Sequence, residues 1–127
     1  IIVENLSAHL KKGLFVVPVS WEAGKQGIFN VKIPFDMRVD EILLSVTKDI
    51  SGTDDAVFIP KNNAGTQMTE GQIDLPASTP IGNDGSSTPT GDNVFDAEEV
   101  MKFETSKPTV GGEAMVTVCY TRLTETP

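Results

Sequence analysis

Glu113-Ala114-Met115-Val116-Thr117-Val118-Cys119-Tyr120-Thr121 alternates without a break, with Ala114, Val116, Val118 and Tyr120 on one face and Glu113, Met115, Thr117, Cys119 and Thr121 on the other. A period of two residues marks a half-buried β-strand, because successive side chains of an extended backbone point to opposite sides. The same signature recurs upstream in short apolar runs, each closed by glycine, proline, asparagine or aspartate.

Between Leu14 and Trp21, Phe15, Val17, Val19 and Trp21 share one face. Pro18 places this run at a sheet edge, since proline has no N–H to give to a ladder. After Ala23-Gly24-Lys25-Gln26-Gly27 the alternation resumes, with Phe29, Val31, Ile33 and Phe35 expected inward and Asn30 and Lys32 outward. The short glycine-bearing gap predicts a hairpin joining the two runs. From Arg38 to Asp49, Ile42, Leu44 and Val46 oppose Glu41, Ser45 and Thr47, while Val39 and Leu43 interrupt the polar face and predict partial cover by a neighbour. Turns are expected at Ser51 to Asp55 and Lys61 to Gly65, with strands at Ala56 to Pro60 and Gln72 to Leu75. Pro80 to Asn93 is dense in Gly, Ser, Thr, Pro, Asn and Asp, with Ile81 its one large apolar side chain, and reads as an exposed, mobile excursion. Strand character returns at Val94-Phe95 and at Val100 to Thr105, where Met101 and Phe103 share a face. Pro108 and Gly111-Gly112 then turn the chain into its last strand.

Strands at this spacing, with almost no helical period between them, predict an all-β, antiparallel β-sandwich of jelly-roll or Greek-key type. A single domain is expected over residues 14–127, preceded by a short N-terminal helix or arm over 1–13. In that segment Ile2, Val3, Leu6 and Leu10 fall at approximately helical spacing, Glu4 is early, Lys11 and Lys12 are late, and Gly13 suits a left-handed cap. Asn5 and Ser7 weaken a helix there and leave an extended arm as the alternative. Either form has an apolar stripe to bury, and Ile2, Val3, Leu6 and Leu10 are the candidate partner-binding residues.

A chain of 127 residues can bury a sizeable core without covalent staples. Its single cysteine, Cys119, has no intrachain partner and is expected as a free thiol on a strand. No apolar stretch approaches the roughly 20 residues that cross a bilayer as a helix, so no membrane contact is expected. Eighteen acidic against ten basic residues give a net charge of −8, which repels phosphate backbones and argues against nucleic acid as a partner.

Catalytic groups are scarce. His9 is the sole histidine, which removes His-rich metal sites and leaves any Ser-His-Asp reading dependent on one residue of the terminal segment. Cys119 has no neighbouring histidine to activate it. Asp54-Asp55 and Glu98-Glu99 are adjacent pairs, and adjacent strand residues face opposite ways, so they read as turn charges rather than a glycosidase dyad. Asn83-Asp84-Gly85 with Asp92-Asn93 offers oxygens for calcium but lacks the spacing and closing glutamate of an EF-hand. Gly24-Lys25-Gln26-Gly27 is too short to cradle a phosphate and leads into no helix. No catalytic residue, cofactor or metal is assigned. Trp21, Tyr120 and the six phenylalanines would make a sugar platform only if exposed together; Phe29, Phe35, Phe103 and Tyr120 are assigned to the core, and Trp21 is left open between the two.

Gly52-Thr53-Asp54-Asp55-Ala56, Met68-Thr69-Glu70-Gly71-Gln72-Ile73, Pro76-Ala77-Ser78-Thr79 and the ending Gly111 to Arg122 resemble small phage virion proteins of the capsid-decoration or head-fibre kind, over roughly Leu14 to Leu123. The resemblance implies a non-enzymatic β-sandwich displayed on a virion, assembled in the host cytoplasm. It also implies partners among capsid or other virion proteins and a symmetric homo-oligomer, with a trimer favoured. It transfers no catalytic residue and does not extend to the N-terminal segment. Outward apolar residues, including Leu14, Val16, Leu43 and Met115, are then expected at a subunit interface. The alternative reading is a carbohydrate-binding or host-adhesion sandwich with a glycan as ligand.

Overall fold

The computed structural model describes residues 11–22, 25–50, 53–107 and 111–123. Ile2, Val3, Leu6, Leu10 and His9, and with them the N-terminal helix or arm, lie outside the described residues, as do the first residues of the Ser51 to Asp55 turn and Pro108.

Among the described residues nine strands form two antiparallel sheets: β1 (Lys12–Trp21), β2 (Lys25–Lys32), β3 (Met37–Lys48), β4 (Ala56–Lys61), β5 (Ile73–Leu75), β6 (Asp84–Ser87), β7 (Val94–Phe95), β8 (Val100–Lys107) and β9 (Gly112–Arg122). One sheet runs β1-β9-β3-β6, with β7 also on β3; the other runs β2-β8-β4-β5. The pairs β1/β9, β2/β8, β3/β6 and β4/β5 are successive rungs of one antiparallel ribbon folded back on itself. Wrapping that ribbon brings β9 onto β3 and β8 onto β4, which closes the two sheets. This is the jelly-roll connection.

Three expectations are corrected. β1 and β2 make no hairpin: β1 pairs with β9 and β2 with β8, so the glycine-bearing gap carries the chain from one sheet to the other. A short polar gap suits either route, and the partner is chosen by the wrapped ribbon, not by the gap. Pro80 to Asn93 is no free excursion. Asp84–Ser87 forms the edge strand β6 on β3, Thr69 N donates to Gly91 O at 2.9 Å, and Ser87 Oγ donates to Gly71 O at 2.8 Å. Buried Asn93 donates its side-chain amide to Val39 O and Pro89 O at 2.7 and 3.2 Å. The segment therefore straps one flank of the sandwich, held by backbone bonds that leave no apolar pattern. Gly85 is required there, since a Cβ on it would lie 2.8 Å from Ile73 Cγ2. Gly13, finally, is not a helix cap but the second residue of β1, which starts at Lys12. It faces Tyr120 so closely that a Cβ would lie 2.6 Å from the phenol oxygen.

The broken alternation in β3 also has a cause. Pairing to β9 slips between Val39 and Glu41, so Asp40 is an extra, bulged residue. Parity inverts across it: Met37 and Val39 are buried on one side, and Ile42, Leu44 and Val46 on the other. Asp40 anchors the bulge by accepting hydrogen bonds from Thr121 Oγ1 at 2.5 Å and Arg38 Nε at 2.8 Å. Val39 thus belongs to the core, and only Leu43 remains as an apolar residue on the outward side of that strand.

The core between the sheets is built as expected from Val19, Ile33, Ile42, Leu44, Val46, Met101, Phe103, Val116 and Val118, and Phe58 joins it with its ring 5.2 Å from that of Phe103. Among the described residues no buried side-chain nitrogen or oxygen lacks a hydrogen-bond partner.

Candidate functional site: an apolar sheet face and an open flank

Each strand of the jelly roll presents one side to the core and the other to the outside, so the two outward faces can be compared directly. On the β2-β8-β4-β5 sheet the outward side chains include Lys32, Lys61, Lys102, Glu104 and Asp74, with Ile28 among them. Lys61 and Glu104 form an ion pair, and Lys32 pairs with Glu98 at 2.9 Å. That face mixes charge with apolar side chains, Ile28 being 65% exposed, and its charges sit in the middle of the rows, where Glu104 lies between Ile28 and Ile59.

The β1-β9-β3-β6 sheet is different. Register aligns Leu14 with Cys119 and Glu41; Val16 with Thr117, Leu43 and Ser86; and Pro18 with Met115, Ser45 and Asp84. Neutral side chains fill the middle of all three rows, and carboxylates enter only at the margin. Leu14, Val16 and Leu43 are 61%, 47% and 37% exposed, although water-facing strands ordinarily carry polar residues there. Beside Leu43, where β6 supplies only Asp84, Gly85 and Ser86, a hollow of about 420 Å³ indents the face. The four residues singled out from sequence, Leu14, Val16, Leu43 and Met115, come from three strands and share this surface. Pro18 lies on it too, on β1, which is the sheet's edge as expected.

Cys119 stands in the first row as a free thiol. Burial, then the carboxylates of Glu41 and Asp40, push its pKa above the ordinary value, which keeps it protonated and weakly nucleophilic.

A second feature lies on the flank opposite the strap. β1 and β2 border different sheets, and near Trp21 the sheets are pinned together: Trp21 Nε1 donates to Val57 O at 2.9 Å and Thr105 Oγ1 to Ser20 O at 2.9 Å. Towards the start of β1 they part, leaving a wedge of about 340 Å³ lined by Phe15, Val17, Val31, Pro34, Phe35 and Tyr120 among others. Tyr120 packs between Phe15 and Phe35 at ring separations of 6.0 and 5.5 Å, and the Arg122 guanidinium lies 4.4 Å over the Phe35 ring. These aromatics are only half-buried. Sequence placed Phe35 and Tyr120 inward, which is correct, but had no signal that the sheets diverge around them.

The remaining candidates serve the fold. Trp21 is 2% exposed and spans the sheets, so it offers no sugar platform. Glu98 bridges to Lys32, Glu99 accepts from Asp96 N at 2.8 Å, and Asp55 accepts from Ala77 N at 3.1 Å, as turn charges do. Asn93 is committed to Val39 and Pro89, away from Asp84 on β6. Among the described residues no three His, Cys, Asp or Glu side chains gather as metal ligands.

No protein-family model matches the chain, and no curated protein matches it. Solved structures do. A chain of the cyanophage Pam1 capsid asymmetric unit is similar in fold with a TM-score of 0.51, at 9% identity over 88% of this chain and 85% of that one. A chain of the disulfide-linked pili of Bacillus endospore appendages gives 0.46, at 15% identity over 89% and 90%. The module CsCBM6-3 of Clostridium stercorarium, solved in complex with cellobiose, gives 0.43, at 12% identity over 91% and 83%. At such identities the likeness is one of fold.

Proposed function

We propose that this protein is a non-enzymatic structural component of a phage virion, a module that decorates or stabilises the capsid through repeated protein contacts as a homo-oligomer, with a trimer favoured. The observation that carries this reading is the outward face of the β1-β9-β3-β6 sheet. Its three rows, centred on Val16, Thr117 and Leu43, are apolar or neutral in the middle and carry carboxylates only at the margin, Glu41 and Asp84, on a chain whose net charge is −8. Exposed apolar surface of this kind marks a contact with protein. The opposite sheet, which sets Lys32, Lys61, Lys102, Glu104 and Asp74 among its outward Ile28, Val57 and Ile59, suits the side turned to solvent. The fold likeness to the Pam1 capsid chain supports the same reading, and Ile2, Val3, Leu6 and Leu10 supply a second adhesive element, an anchor to the shell or to adjacent subunits. The carbohydrate-binding alternative has lost the aromatic that recommended it, because Trp21 is buried.

Particles assembled with Val16→Lys/Leu43→Lys protein test the proposal. Both positions are exposed, so the fold is retained, and the expected result is particles that lack the protein. Incorporation at the normal level, seen by electron microscopy of purified particles, refutes the role of this face.

A further inference from the structure

Any protein that covers the β1-β9-β3-β6 face also takes the polar groups on it out of water, and two of those groups have no partner of their own. Asp84 lines the hollow beside Leu43 together with Ser45, Ser86 and Thr117. Its carboxylate enters no hydrogen bond or ion pair among the described residues, and neither does that of Glu41, which stands two residues before Leu43 on the outward side of β3. Outward positions on one strand are roughly 7 Å apart and neighbouring strands about 5 Å apart, so the two carboxylates flank Leu43 within the footprint of one docked surface. Burying an unpaired carboxylate costs more than the apolar contact beside it contributes, and the occupant must therefore bring positive charge. We infer that the hollow receives a lysine or arginine side chain of a different protein, one whose surface presents an apolar patch rimmed by positive charge.

The lining matches the two halves of such a side chain. Leu43 and the Thr117 methyl group offer cover for an aliphatic stem, and the Asp84 carboxylate, with the Ser45 and Ser86 hydroxyls near it, offers acceptors for a charged head. This chain is a poor source of that cation. Residues 1–10, 23–24, 51–52, 108–110 and 124–127 contain neither lysine nor arginine, so none of these segments, from the same chain or from a second copy, can supply it. Among the described residues Lys32, Arg38, Lys48 and Lys61 are paired with carboxylates, Lys102 donates to Asn63 O, and Arg122 lies over the Phe35 ring. Lys12 stands on the same face at the corner farthest from Asp84. A second copy has those same cations engaged and adds a net charge of −8, whereas a protein of opposite charge is drawn to this face and placed by its two carboxylates. The inference rests on the proposed role of this face in holding the protein to its particle, and it adds the chemistry of the surface that the face meets.

Purified full-length protein added back to particles assembled without it tests the inference, with bound copies measured against protein concentration at about 50 and about 500 mM NaCl. The wild type should bind less tightly at the higher salt, where charge pairs are screened. Asp84→Asn should weaken binding by about 30-fold, the effect of stripping one partner from a charge pair buried at an interface, and should shrink the dependence on salt. Asp74→Asn removes the same charge from the opposite sheet and should bind like the wild type. Asp84 and Asp74 are both exposed, so both variants keep the fold. Light scattering should give Asp84→Asn the same mass as the wild type. Binding that ignores salt, Asp84→Asn within about threefold of the wild type, or Asp74→Asn as weak as Asp84→Asn would each overturn the inference. A change of mass in Asp84→Asn would also overturn it, by making a second copy the occupant. Normal uptake of Val16→Lys/Leu43→Lys would sink the role of the whole face, whereas its exclusion alongside normal binding of Asp84→Asn would sink this inference alone.

Discussion

Replacing Trp21 tests whether it pins the sheets or offers a surface. Its indole is 2% exposed and its N–H reaches across to Val57 O at 2.9 Å, while Ser20 beside it accepts from Thr105. Trp21→Phe keeps most of the ring and removes the donor. Losing a buried hydrogen bond costs about 1 kcal/mol and the residual void about as much again, so about 2 kcal/mol in all. Trp21→Ala removes the whole ring and should cost about 4 kcal/mol, a large part of the 5–15 kcal/mol typical of a domain. For a chain of this length each kcal/mol lowers Tm by about 3–5 °C, which places Trp21→Phe about 6–10 °C below the wild type. Urea titration followed by circular dichroism measures both variants on one scale, with the midpoint falling and the slope unchanged. Because Trp21 is the sole tryptophan, the emission of the wild type reports directly on its surroundings and should be that of an indole out of water. A Trp21→Ala protein within 0.5 kcal/mol of the wild type, or solvent-like emission from the native state, would refute the assignment of Trp21 to the core and return it to the surface.

Other consequences can be measured independently. Gly85→Ala drives a Cβ towards Ile73 Cγ2 and should cost about 1–3 kcal/mol, with faster amide hydrogen exchange confined to β6 and its partners on β3; wild-type exchange there would show that β6 is not packed on β5. Asn93→Ala leaves Val39 O and Pro89 O without their donor, for a loss of about 1–3 kcal/mol by urea titration, whereas an unchanged midpoint would mean that the strap holds without it. Cys119 should react with a disulfide reagent more slowly than a free cysteine at pH 8, its rate rising only at higher pH because the raised pKa leaves less thiolate. Glu41→Gln should speed the reaction, and a rate equal to that of free cysteine at pH 8 would contradict the electrostatics.

Period-two burial was legible wherever a strand carried its own apolar side. β1, β2, β3, β8 and β9 lie where their alternation predicts, and β4 and the short β5 where turns bound the expected runs, because burying every second residue lets an extended segment satisfy both side chains and backbone. β6 was not legible. Asp-Gly-Ser-Ser buries almost no side chain, and its place is set by hydrogen bonds to β3 and by the space that Gly85 leaves for Ile73 and Leu75. Nor did Trp21 reveal its burial, since a tryptophan at a strand end fits a platform and a pin equally until its donor finds Val57.

The candidate surface divides in the same way. Leu14, Val16, Leu43 and Met115 are outward by local alternation alone, a property of the backbone that any single strand displays. That they meet in adjacent rows, with charges kept to the margin, follows from the register of β1, β9 and β3, and register joins residues a hundred positions apart. Alternation is local chemistry repeated along the chain, whereas strand partnership is settled by the closure of the whole ribbon around one core. The neutral face, the bulge at Asp40 that buries Val39, and the wedge where the sheets part all belong to that closure.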